Sequence, residues 1–184
     1  MNATLATKTV GVVGSGAEEH DDLAIDVGRL LASLGVNLLT GGGGGVMTSV
    51  SRAFIQAPRR AGICIGIIPC LSERERTTPR PGYPNRFVEL PIYTHLPYSG
   101  KRGKDELSRN HINVLSCCAI IALPGSDGTA SEVSLAIEYA RPIIAYSNDA
   151  KQVENFPSSV TRATHIDAVE HFIRQYASPI RVPK

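Results

Sequence analysis

The sequence lacks an excess of charge of either sign. Nineteen Lys and Arg stand against seventeen Asp and Glu, a net charge of +2, so composition makes no electrostatic case for a nucleic-acid or membrane-surface partner. No apolar run has the length needed to span a bilayer. The amino-terminal MNATLATKTV has no long apolar core of the kind a secretory signal carries, and a cytoplasmic location is expected. The four cysteines, Cys64, Cys70, Cys117 and Cys118, form no C-x-x-C pair, and no His-x-x-x-His partner follows at zinc spacing. A structural zinc site is thereby excluded and no metal ligands are assigned. Cys117 and Cys118 adjoin an apolar segment and are expected to be small buried residues. Neither a repeat nor a linker is visible, so residues 1–184 are read as one domain.

What is present is a regular alternation of strand-like and helix-like patterns. With 184 residues, 42% of them apolar, the chain can bury a proper core. Short apolar runs predict strands over Lys8–Gly14, Val36–Leu39, Ile63–Ile68, Phe87–Tyr93, Ala119–Leu123 and Ile143–Tyr146. Between them, apolar residues recur at helical spacing: Leu23, Val27, Leu30, Leu31 and Leu34; Val46, Val50, Ala53, Phe54 and Ala57; then Ala130, Val133, Ala136, Ile137 and Ala140. Further helices are predicted over Leu107–Cys118 and Asp167–Tyr176. Glu18, Glu19, Asp21 and Asp22 suit the positive end of the first helix, and Gly35 suits its stop. Such alternation implies right-handed crossovers and an α/β, doubly wound, mostly parallel sheet flanked by helices on both faces.

One stretch breaks the pattern. Residues 70–104 are rich in Pro, Gly and Arg and read as long loops, which in a compact domain are usually functional or disordered. Seven basic residues (Arg74, Arg76, Arg80, Arg86, Lys101, Arg102 and Lys104) face three acids (Glu73, Glu75 and Glu89), a local +4. This charge favours a basic cover over an anionic ligand; a merely solvated loop is the other reading.

Three glycine-bearing turns follow three of the strands: Gly14-Ser15-Gly16, Gly41 to Gly45, and Pro124-Gly125-Ser126-Asp127-Gly128-Thr129. All three belong at the carboxyl ends of parallel strands, where open α/β sheets bind ligands. Glycine lets backbone approach a phosphate, and a following helix offers free N–H groups. Two common phosphate motifs are absent. The dinucleotide fingerprint requires glycine where Glu19 stands and an acid where Thr40 and Gly41 stand, which excludes NAD. Neither Gly100-Lys101 nor Gly103-Lys104 is followed by Ser or Thr, which excludes a Walker-type ATPase.

Arg109 and Glu132 should face that same strand edge, each near a helix start. Arginine can clamp a phosphate or carboxylate bidentately, and a carboxylate beside it can orient a ribose hydroxyl or stabilise charge in glycosidic cleavage. A structural ion pair joining two helix starts explains the pair equally well. Thr129 is expected to cap its helix, with Glu132 three residues on as the capping-box partner. His111 is expected to be a packed or capping residue.

Pro124 to Glu132 (PGSDGTASE) resembles the PGGxGTxxE motif of the LOG-like superfamily, once widely labelled lysine decarboxylases, with Ser126 where glycine is usual and Arg109 at the second signature position. Within it, Thr40 to Met47 (TGGGGGVM), Ser108 to Ser116 and Ala119 to Tyr146 resemble the molybdenum cofactor carrier proteins. The resemblance implies a Rossmann-like fold and a homodimer or homotetramer. It also implies a carried molybdenum cofactor (molybdopterin), a pterin with a terminal phosphate, to be handed to molybdoenzymes or cofactor-insertion proteins. The site it implies comprises Gly14, Ser15 and Gly16; Gly42, Gly43, Gly44, Gly45, Val46 and Met47; Arg109 and Asn110; and Pro124, Gly125, Ser126, Asp127, Gly128, Thr129 and Glu132. The phosphate is expected on the amides of Gly42–Gly45 or Gly125–Thr129. The enzymatic branch of the superfamily cleaves nucleoside 5′-monophosphates at the N-glycosidic bond. Its Arg and Glu correspond to Arg109 and Glu132, the catalytic pair of that alternative; Asn110-His111 departs from its pattern.

Overall fold

A computed structural model of the chain describes residues 8–177; the segment MNATLAT, part of the stretch judged against a signal, lies outside them. Seven strands form one sheet in the order β4-β3-β2-β1-β5-β6-β7. They are β1 (Thr9–Val13), β2 (Asn37–Thr40), β3 (Cys64–Ile68), β4 (Leu90–Tyr93), β5 (Ala119–Ala122), β6 (Ile143–Tyr146) and β7 (Thr161–Ala163). Every neighbouring pair is parallel, so the sheet is wholly rather than mostly parallel. The helices are α1 (Asp21–Leu34), α2 (Val46–Gln56), α3 (Asn110–Leu115), α4 (Asp127–Glu138) and α5 (Ile166–Tyr176). Among the described residues, no helix is long and apolar enough to cross a membrane.

The strands are apolar on both faces because helices cover both. Val10 and Val12 pack with α1, α2 and α5 through Leu31, Phe54 and Ile173. Val13 points the other way and packs with α3 and α4 through Val114, Val133 and Ala136. Alternation along β1 thus feeds two cores from one strand. Helices α1 and α2 touch closely at Gly28, where a Cβ would come within 2.7 Å of the Val50 carbonyl oxygen and 2.8 Å of the Ala53 Cβ. Gly35 ends α1 in the left-handed region (φ 67), donating to Ala32 O.

Sheet order positions the site. From β1 the chain moves outward through β2, β3 and β4, then returns to pair β5 against the other side of β1. The carboxyl ends of β1 and β5 therefore flank a topological switch point, from which the chain runs to α1 on one face of the sheet and to α4 on the other.

Four expectations need correction. Strand β7 was not anticipated: it is three residues long, two of them exposed, and offers no apolar run. The helix expected over Leu107–Cys118 spans only Asn110–Leu115. Tyr98 N–H donates to Leu107 O and the Ser108 hydroxyl to Tyr98 O, tying Leu107 and Ser108 to the preceding loop, while Cys118 N–H donates to Thr9 O as the sheet begins. Thr129 does not cap α4, which starts two residues earlier with Ser126 at the N-cap. The strand expected over Phe87–Tyr93 is confined to Leu90–Tyr93, because the Asn85 side chain holds Phe87 N–H in a turn.

Candidate ligand site at the switch point

The turn after β1 organises its two neighbours. Ser15 N–H donates to Pro124 O at 3.0 Å, and Val46 N–H donates to Ser15 O at 2.9 Å. The Ser15 hydroxyl accepts from Ala17 and Glu18 N–H, at 3.2 and 2.9 Å. These contacts explain several glycines. Gly45 has φ 59, and a Cβ there would collide with Ser15 O. A Cβ on Gly125 would meet Thr129 Oγ1 and, at 2.8 Å, Ser15 N.

Arg109, at the start of α3, lies against Gly41 so closely that a Cβ on Gly41 would overlap the guanidinium. Arg109 is 4% exposed, and its Nε and Nη1 have no hydrogen-bond partner. Glu132, on α4, is also buried, with Oε1 4.0 Å from Arg109 Nη1. That distance is beyond a hydrogen bond. Glu132 Oε1 instead accepts from Asn113 Nδ2 at 2.7 Å. Burial pushes the Glu132 carboxyl above the usual carboxylate range, against the opposing pull of Arg109 and Asn113. Arg109 thus has part of its fork uncommitted, an arrangement that costs several kcal/mol of desolvation unless an anion completes it.

Alongside Arg109 is the amino end of α4. No side chain caps it, and the amides of Asp127, Gly128 and Thr129 fall in its first turn, where helical N–H groups have no partner within the helix. Thr129 Oγ1 is buried and unpartnered too. Arg109, Ser126 and Gly128 at the amino end of α4 line one cleft, where guanidinium and helix dipole together suit an oxyanion such as phosphate.

The cleft encloses about 320 Å³, within the range of small-ligand sites. Of the residues singled out from sequence, Gly14, Ser15, Gly16, Met47, Arg109, Asn110, Ser126, Gly128 and Glu132 line it. Gly42, Gly43, Gly44, Gly45 and Val46 stand behind the wall. The amide of Gly42 donates to Thr40 Oγ1, that of Gly43 to Met47 Sδ and that of Val46 to Ser15 O. Pro124, Gly125, Asp127 and Thr129 shape the neighbouring turn without lining the cleft.

The 70–104 insert does reach the cleft, but through Tyr83, Ser99 and Gly100; none of its seven basic residues lines it. Arg80 is held by Ser99 Oγ and Pro97 O. Arg102 lies 3.3 Å over the Tyr98 ring and pairs with Asp105 at 2.6 Å. Lys104 sits 3.7 Å from Glu138. Gly41, Ala17, Tyr83, Ser99 and Gly100 were not among the expected site residues; Gly41 alone carried a signal, as the first of the five glycines.

His111 is packed, its ring nitrogens 2.7 Å from the Tyr139 hydroxyl and 3.0 Å from Asp105 O. Cys64, Cys70 and Cys117 are buried and Cys118 partly so; burial pushes the Cys64 thiol up to about 11. Among the described residues, no group of three or more His, Cys, Asp or Glu could hold a metal ion.

Comparison with known proteins agrees with this architecture. The molybdenum cofactor binding protein of Rippkaea orientalis superposes with a TM-score of 0.69 at 29% identity, over 94% of this chain and 98% of that one. The Moco carrier protein of Chlamydomonas reinhardtii gives a TM-score of 0.66 at 25% identity, over 92% and 99%. An uncharacterized protein of Archaeoglobus fulgidus is 29% identical over 136 residues, 73% of this chain and 76% of that protein. The likeness to cofactor carriers read from the motifs thus holds across the whole Rossmann-like fold. Residues 7–173 match the SLOG cluster4 family, which fits the LOG-like superfamily; the chain belongs to the SLOG cluster4 family.

Proposed function

We propose that this chain binds the molybdenum cofactor in the switch-point cleft and holds it for storage or delivery without chemical turnover. The observation that carries the reading is Arg109: a buried guanidinium with two unpartnered nitrogens beside an uncapped helix end. The cofactor's terminal phosphate is an anion of matching geometry. The similar structures from Rippkaea and Chlamydomonas are named for binding or carrying that cofactor, which supports the choice of ligand. Arg109, Ser126 and the Gly128 amide would hold the phosphate. With no metal-binding cluster among the described residues, the grip falls on pterin and phosphate rather than on molybdenum.

The nucleoside monophosphate reading requires an ionised carboxylate at the ribose. Glu132 is instead buried, with Oε1 taken by Asn113 at 2.7 Å, an engagement that favours a carrier. Delivery to molybdoenzymes or cofactor-insertion proteins, from a cytoplasmic homodimer or homotetramer, belongs to the same proposal. The apolar Leu90, Ile92 and Tyr93 exposed on edge strand β4 support an oligomer.

The test is a panel. Purified protein is incubated with nucleoside 5′-monophosphates and, separately, with the cofactor. Free base is followed by chromatography and bound cofactor by its content after desalting. The proposal expects retained cofactor and no base release. Base release that disappears in Glu132→Gln would make the chain a phosphoribohydrolase.

A further inference from the structure

We propose that Tyr83, delivered by the basic insert, stacks on the flat heterocycle of the ligand and makes the cleft selective for a ring-bearing phosphate over a bare one. This deepens the reading of the cleft as a phosphate-ligand site and rests on it.

Tyr83 is the one aromatic side chain lining the cleft among the described residues. Its position is tightly determined. A Cβ on Gly43 would stand 2.6 Å from the Tyr83 ring carbons and 2.7 Å from its hydroxyl oxygen, so the ring rests on the bare Cα of Gly43. Gly43 is itself fastened on three sides. Its N–H donates to Met47 Sδ at 3.4 Å, and its carbonyl accepts from Thr48 Oγ1 and Asn85 Nδ2, both at 2.9 Å. Asn85 N–H also donates to Gly42 O at 2.7 Å. The loop that carries Tyr83 is therefore tied to the glycine run through Asn85.

Met47 adds a second apolar surface. Its sulfur is held at Gly43, and its methyl group lies 3.9 Å from the Cβ position of Gly16. A thioether is polarisable and makes favourable contacts with aromatic rings. The cleft is thus divided by chemistry. Arg109 and the α4 amides form a charged end, while Tyr83 and Met47 form an apolar, flat-sided region. A phosphate needs only the first; a phosphorylated pterin or nucleoside uses both.

Two probes separate these ends: a pterin carrying a phosphomonoester side chain, and ribose 5-phosphate, which has the phosphate but no aromatic ring. Dissociation constants are measured by calorimetry for wild type, Tyr83→Leu, Tyr83→Phe and Arg109→Ala, with circular dichroism confirming that each is folded. Stacking of this kind sets the expectation that Tyr83→Leu weakens the pterin phosphate roughly 10- to 100-fold. It should leave ribose 5-phosphate within about twofold. Tyr83→Phe should retain the preference, and Arg109→Ala should weaken both probes. Gly43→Ala, which displaces the ring without removing it, should act in the same direction as Tyr83→Leu. Equal loss of both probes in Tyr83→Leu, or no loss of either, overturns the stacking role. Wild type that binds ribose 5-phosphate as tightly as the pterin overturns the selectivity and leaves the anion site standing. Wild type that binds neither overturns the site itself.

Discussion

The Arg109 guanidinium and the Glu132 carboxylate stand 4.0 Å apart, both buried, and do not form a hydrogen-bonded pair. Asn113 takes the Glu132 oxygen at 2.7 Å, and Arg109 retains Nε and Nη1 without partners. At 4.0 Å the two groups still attract as an ion pair. The separation leaves the arginine available to an incoming anion.

Arg109→Ala should therefore weaken a phosphate-bearing ligand by about 1.5–3 kcal/mol for each charged hydrogen bond lost. Arg109→Lys should restore little of it, because an ammonium cannot reproduce a planar fork lying flat on Gly41. Calorimetric titration of both variants checks this: unchanged affinity in Arg109→Ala removes Arg109 from the site, and full affinity in Arg109→Lys shows that charge suffices without the fork.

Glu132 makes a pH-dependent prediction. Burial raises its pKa above the ordinary value of 4.5, so the folded chain keeps a proton that the unfolded chain releases. That contribution to stability is fully present below pH 4.5. It is lost as pH rises through the raised folded value. Glu132→Gln is neutral throughout and lacks this loss. The Tm of Glu132→Gln should gain on wild type as pH rises from about 4.5 and level off above the folded pKa. A difference that stays constant with pH would contradict the shift.

Ser126 occupies an N-cap without making a capping bond. A capping serine typically contributes about 1 kcal/mol. Here Ser126→Ala should change unfolding free energy by well under that figure, roughly a few tenths of a kcal/mol. Denaturant titration measures it, and a loss near the usual value would show that the hydroxyl caps α4 in solution.

Much of this architecture was legible in the chain. The three glycine turns could be placed because each follows an apolar run, and Arg109 and Glu132 because each stands beside a predicted helix start near one strand edge. The reasons for individual glycines were not legible. Gly43 and Gly45 answer to Tyr83 and Ser15, residues distant in sequence whose approach only the fold reveals. Thr129 was misread as a cap because T-x-x-E looks the same at a helix start as it does in the first turn. Tyr83, Ser99 and Gly100 escaped notice because the insert has no periodicity to fix its path. Charge also misdirected the reading of the insert: Arg80 and Arg102 are occupied within it, and its uncharged residues reach the cleft.

Gly28→Ala tests the packing beneath the site. The added methyl would press on the Val50 carbonyl, which is backbone and cannot swing away. Forcing α1 and α2 apart should cost roughly 1–3 kcal/mol and lower the Tm. An unchanged Tm would mean that the two helices are less closely packed than described.

The most direct test of the central claim is the lifetime of the bound cofactor. Protein loaded with molybdenum cofactor is desalted and aged in air, and the surviving cofactor is assayed by its power to activate a cofactor-free molybdoenzyme. The account predicts that wild type keeps cofactor active long after the free form has decayed, and that Arg109→Ala loses this protection. Decay at the rate of free cofactor in wild type would contradict it.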